Sequence, residues 1–174
     1  MKVKSQRGVP ASKTGMTSDR ALRQHLLFVL NEEGAHANFD SAIKGLPAEL
    51  RGKKPKGCPH SAWQLLEHMR IAQLDILEFT RNPKHISPKW PDEYWPVSPV
   101  PPTEKAWNKS VKAFRADLGA ISEIVADLKT DLYAPLPHDE DKTILREILL
   151  VADHNAYHLG ELVLLRRMLD AWPS

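Results

Sequence analysis

The chain is 174 residues long, 42% hydrophobic and 26% charged, which is enough apolar material for one domain with a sizeable core. Its net charge of +2, with acids and bases interspersed, argues against the concentrated basic face of a nucleic-acid binder. A single cysteine, Cys58, excludes an intrachain disulfide, and no apolar run reaches the ~18 residues of a membrane span, so a soluble, cytoplasmic protein is expected.

Residues 1–16 mix Lys, Ser, Gly, Pro and Thr without periodicity and read as a disordered basic tail; 17–174 read as a single domain. A first helix is expected from Thr17-Ser18-Asp19, where hydroxyl caps precede an acidic first turn. Leu22, Leu26 and Leu30 mark its apolar side, Phe39 and Ile43 continue it past Gly34, and Gly45-Leu46-Pro47 ends it. The basic turn Arg51–Lys56 reads as a solvated loop.

A second helix starts after Ser61, which with Gln64 has the spacing of a capping box. Leu65, Met69, Ala72, Ile76 and Phe79 form its buried stripe, His68 lies on the inner edge, and Asn82-Pro83 closes it. From Pro83 to Pro102 the chain holds seven prolines with Trp90, Tyr94 and Trp95, which no helix can traverse. So long a connection with three large aromatics is expected to be ordered and packed over the helices as a lid or pocket wall.

Thr103 caps a third helix with apolar residues at Trp107, Val111, Phe114, Leu118, Ile121, Val125 and Leu128. Residues 132–141 read as a further connection, and Thr143 caps a last helix running toward Trp172-Pro173. That helix carries two apolar stripes, one with Leu150, Val151, His154, His158 and Leu165 and one with Leu145, Leu149, Ala152, Ala156, Leu159 and Val163. Four long helices and no convincing strand pattern predict an all-α four-helix bundle with a long Pro/Trp-rich connection between helices 2 and 3.

The chemistry concentrates at Asp153–Glu161. His154 and His158 sit four apart, about 40° around a helix axis, so both imidazoles can converge on one metal ion. Either histidine alone would read as a hydrogen-bonded core residue, but burying two a turn apart is costly unless something satisfies both. His68 on a facing helix is a candidate third ligand, giving the three nitrogens that leave an open position in catalytic zinc sites. His36 and His60 compete for that place, while His25, His85 and His138 read as surface or loop. Cys58 reads either as a soft ligand or reactive thiol, or as an ordinary exposed cysteine. In the His-Glu-x-x-His metalloprotease motif the residue after the first histidine is the base; here it is Asn155, which cannot take a proton. Glu161 and Glu147 lie near the same stripe, as partners that orient a ligand or as bases acting through water, set against the plainer reading of exposed or helix-end carboxylates.

The segments Trp63-Gln64-Leu65-Leu66-Glu67-His68 and His154-Asn155-Ala156-Tyr157-His158-Leu159-Gly160-Glu161 resemble the histidine patterns of the DinB/YfiT-like superfamily, and the helix order over residues 18–172 is similar. The resemblance implies a divalent metal, commonly zinc or nickel, on His68, His154 and His158, and often a homodimer. Characterised relatives include thiol-dependent S-transferases and an isomerase. The expected function is a metal-dependent enzyme activating a low-molecular-weight thiol (S-transferase) or water (hydrolase) against a small-molecule substrate. The alternative is a non-catalytic metal- or ligand-binding stress-response module.

Overall fold

The computed structural model describes residues 17–173, so the reading of 1–16 as a tail lies outside the described residues. The first helix, α1 (Ser18–Asn31), begins where Thr17 accepts a hydrogen bond from the Arg20 amide. It does not run on to Gly45 as expected. Residues 32–38 leave the helix, and α2 (Phe39–Ile43) restarts beneath a cap in which the Asn38 Oδ1 accepts from the Ser41 amide. The Asn38 Nδ2 also donates to the Asn31 carbonyl at 3.2 Å. Asparagine side chains that bond nearby backbone favour caps and turns over helix interiors, which is why an apparently continuous apolar stripe is broken.

The second long helix, α3 (Ala62–Arg81), starts with the complete Ser61/Gln64 capping box. Thr103 caps α4 (Glu104–Ala126) and Thr143 caps α5 (Ile144–Met168), each accepting from an amide three residues on. Leu128 falls beyond the end of α4 and is 62% exposed, so it is not part of the stripe. Residues 132–141, expected as a connection, contain most of a hairpin of β1 (Pro135–Leu136) antiparallel to β2 (Asp139–Thr143). A charged strand, Asp139-Glu140-Asp141-Lys142-Thr143, has no apolar alternation to announce it.

The fold is predominantly helical. α3 packs against α4 and α5, and α1 packs against the same two helices. One core cluster joins Phe39, Trp63, Leu66, Met69, Trp107, Phe114 and Leu162; a second joins Leu26, Leu77, Ile121, Val125, Leu132 and Val151. Each fully buried Leu or Phe contributes roughly 1.5–3 kcal/mol of transfer free energy. On α5 the buried set is a single stripe through Ile148, Val151, Asn155, His158, Leu159, Leu162 and Leu165; Leu149, assigned to a second stripe, is exposed. Two buried arginines pin chain ends. Arg23 donates to the carbonyls of Val125, Asp127 and Thr130 around the end of α4, and Arg166 to those of Ala42, Lys44 and Ala171. Among the described residues no helix is long and apolar enough to cross a membrane.

The connection between α3 and α4 runs back along α3 toward its N-terminus. The Tyr94 hydroxyl donates to Asp75 at 2.6 Å and the Tyr94 carbonyl meets the His68 Nδ1 at 3.1 Å. Farther along, Gln64 donates to the Pro96 carbonyl at 3.1 Å and Ser61 to the Pro99 carbonyl. Positions 61, 64, 68 and 75 share one face of α3, so a row of polar side chains holds the strap. At its far end Val100 lies against Gly52, where an added Cβ would collide with it.

Candidate metal centre

α3 and α5 bring His68, His154 and His158 together, with one ligand atom from each within 4.8 Å of the others. The Nε2 atoms of His68 and His154 stand 3.0 Å apart. α5 supplies its pair because residues four apart share a face, and α3 packs against α5, with Leu65 and Met69 in one core cluster with Leu159, Leu162 and Leu165. His68 is 1% exposed and His158 7%.

At two of the three rings the outer nitrogen fixes the tautomer. A carbonyl only accepts, so His68 carries its proton on Nδ1, facing Tyr94, and leaves the Nε2 lone pair toward the cluster. His158 Nδ1 meets the Glu161 Oε2 at 2.7 Å, which leaves its Nε2 free in the same way. For His154, the buried Nδ1 and the buried Asn155 Oδ1 both lack partners. Neither is bonded to the other, so nothing at the outer nitrogen of His154 selects its tautomer. His68 and His158 therefore each have an acceptor on Nδ1 and an Nε2 to offer a cation, the arrangement metal-binding histidines adopt.

Burial pushes His68 down to about 4; the Tyr94 carbonyl opposes this and the other histidines add to it. Burial, and then His158, push His154 down to about 4. Both are neutral bases at pH 7. With its proton on Nδ1, His68 turns the Nε2 lone pair toward the His154 Nε2 at 3.0 Å, a contact closed by a proton on the His154 Nε2 or by a cation in its place. The donor set fits a divalent ion that accepts imidazole nitrogen, such as zinc or nickel.

Aromatic rings enclose the cluster. Trp95 stacks on His68 with centroids 3.7 Å apart, and His60 stacks on Trp95 at 3.8 Å. Tyr157, 66% exposed, stands edge-on to His158 at 4.9 Å. Beside Glu161 a cavity of about 150 Å³ is lined by Cys58, His60, Leu65, Leu164 and Leu165.

Of the other histidines, His36 is exposed and bonds the Ala37 carbonyl, while His25 is exposed on α1. His85 pairs with Asp75 at 2.7 Å and His138 packs edge-on against Phe79. Cys58 approaches the Met168 sulfur at 3.6 Å. Glu147 is buried, and its bond comes from Arg146 at 2.7 Å. Asn155 donates to Gln73, which donates to the Phe114 carbonyl, so its amide ties three helices together. His60, weighed as a third ligand, instead stacks on Trp95, while the contacts of the Tyr94 carbonyl and of Asp75 were not foreseen. For Tyr94 the one signal in the sequence was the density of aromatics in the connection; for Asp75 there was none.

No curated protein and no solved structure matches the chain. The family model for the DinB superfamily matches residues 33–162, which include all three clustered histidines, and the chain therefore belongs to the DinB superfamily.

Proposed function

We propose that this protein is a metal-dependent enzyme built on a DinB-type four-helix bundle, with His68, His154 and His158 as ligands to a zinc or nickel ion. The observation that carries this reading is the convergence of three imidazole nitrogens within 4.8 Å, two of them with Nδ1 bonded outward. A divalent ion on three neutral ligands, when bound, supplies a Lewis acid that brings a thiol or water toward its thiolate or hydroxide form near neutral pH. Glu161 holds the His158 ring and, at the edge of the cavity, is placed to take a proton from a nucleophile through water. Trp95 shields His68 from solvent on its stacked face. Cysteine, histidine and leucine side chains beside Glu161 enclose room for a substrate group about the size of one aromatic ring, the ligand that a 150 Å³ apolar cavity accommodates.

The reaction is conjugation of a small electrophile with a low-molecular-weight thiol, or its hydrolysis. Elemental analysis of the purified protein beside His68→Ala, His154→Ala and His158→Ala tests the ligand set. The expected result is close to one ion per chain, lost in each variant. Chelator-sensitive turnover in a screen of thiol and electrophile pairs, absent in His154→Ala, supports the enzyme. Stoichiometric metal with no turnover across the screen points to the binding module instead.

A further inference from the structure

Tyr94 touches α3 at two places two turns apart. Its carbonyl receives the His68 Nδ1–H at 3.1 Å, while its hydroxyl donates to Asp75 at 2.6 Å. Residues 68 and 75 are seven apart and differ by about 20° around the helix, so one tyrosine can meet both, with its carbonyl at one and its phenol at the other. The other Asp75 oxygen is taken by His85 at 2.7 Å, from the start of the connection. Burial, and then Asp75, push the Tyr94 phenol up, which keeps it a donor. Trp95 follows directly and lies flat on His68, 6° from parallel.

We propose that Asp75 is a positioning residue for the His68 ligand, acting through Tyr94 to hold the connection in the one register that presents both a carbonyl to Nδ1 and the Trp95 ring to the imidazole face. This rests on the reading of His68 as a metal ligand. Without the hydroxyl anchor, Tyr94 is free to move along α3. The carbonyl then leaves Nδ1, and the ring loses the bond that selects the Nδ1–H tautomer. An imidazole protonated at Nε2 offers no lone pair to the cluster, so mixing the tautomers weakens metal binding although no ligand has been changed.

The test compares Tyr94→Phe, Asp75→Ala and Asp75→Asn with Leu132→Ala, which opens the opposite core cluster and serves as a control for general loosening. Zinc affinity is measured by competition with a chromophoric chelator, and the His68 tautomer of metal-free protein by imidazole nitrogen NMR. Tyr94→Phe and Asp75→Ala should bind zinc about 10-fold more weakly and show both tautomers. Asp75→Asn keeps an oxygen for the Tyr94 hydroxyl and should stay within about 3-fold of wild type, by analogy with other supporting partners retained in kind. Leu132→Ala should melt lower but keep one tautomer and wild-type affinity. Wild-type affinity and a single tautomer in Tyr94→Phe and Asp75→Ala would overturn the proposal, as would an equal loss of zinc in Leu132→Ala. If the wild type binds no zinc, the metal reading fails, and the tautomer measurement still decides the role of Asp75.

Discussion

Arg166 and His68 are equally buried, each 1% exposed, yet their surroundings differ in kind. Arg166 spends its donors on carbonyls, with bonds of 2.6 Å to Ala42, 2.9 Å to Lys44 and 2.6 Å to Ala171. His68 meets a carbonyl only on its outer nitrogen; its inner one meets the His154 Nε2 at 3.0 Å. A buried polar group that serves the fold is closed to further partners. The histidine cluster closes its inner nitrogens only on one another, which leaves room for chemistry.

The largest effect should come from opening the closed centre. Arg166→Ala strips the donors from the end of α2 and from the Ala171 carbonyl, all in buried or part-buried positions. A loss of about 3–5 kcal/mol is expected from urea titration, as for other buried charged groups removed without their partners. A shift below about 1 kcal/mol would show that these carbonyls find water and would erase the contrast.

Acid should act on the open centre next. In the unfolded chain His68 and His154 take up protons near pH 6.5, whereas in the folded protein both wait until about 4. The unfolded state therefore binds more protons in that window, so metal-free protein should lose stability as pH falls from 6.5 to 4 and stay level above it. The expected loss is on the order of 3 kcal/mol for His68 alone. It should be read from melting in a pH series with chelator, and a flat profile would mean that the cluster admits water.

Much of this was legible in the sequence because the signals were local. Ser61 and Gln64 announce the start of α3, Thr103 and Thr143 announce α4 and α5, and the four-residue spacing of His154 and His158 puts both on one face. What escaped depended on distant partners. The break after Asn31 is decided by Asn38 reaching back to it, and the hairpin at 135–143 by pairing between a proline-bearing segment and a charged one. Asp75 reads as an ordinary charge on α3 until Tyr94 arrives from 19 residues away. The polar row at 61, 64, 68 and 75 was visible as spacing, but only the returning strap shows what it binds.

A smaller change should sharpen the same contrast at the outer nitrogen of His158. Glu161→Gln keeps an acceptor for Nδ1–H but removes the charge that makes the ring a better donor to metal. Zinc affinity should fall by about 10-fold with little change in melting of the metal-free protein. Unchanged affinity would reduce Glu161 to a surface carboxylate.

The smallest effect on folding should come from His154→Ala, and it is the most discriminating. In a closed centre such as Arg166, truncation orphans its partners. His154 has no hydrogen-bonded partner on Nδ1, and its Nε2 faces only His68, so its removal orphans little and relieves one desolvated imidazole. Lost packing and relieved desolvation oppose each other, and metal-free stability should move by less than about 1 kcal/mol. Metal binding should nonetheless disappear, because two nitrogens remain of three. A residue whose loss leaves the fold intact and abolishes the ion was retained for the ion; a large loss of stability in the metal-free variant would instead make His154 a structural core residue like Arg166.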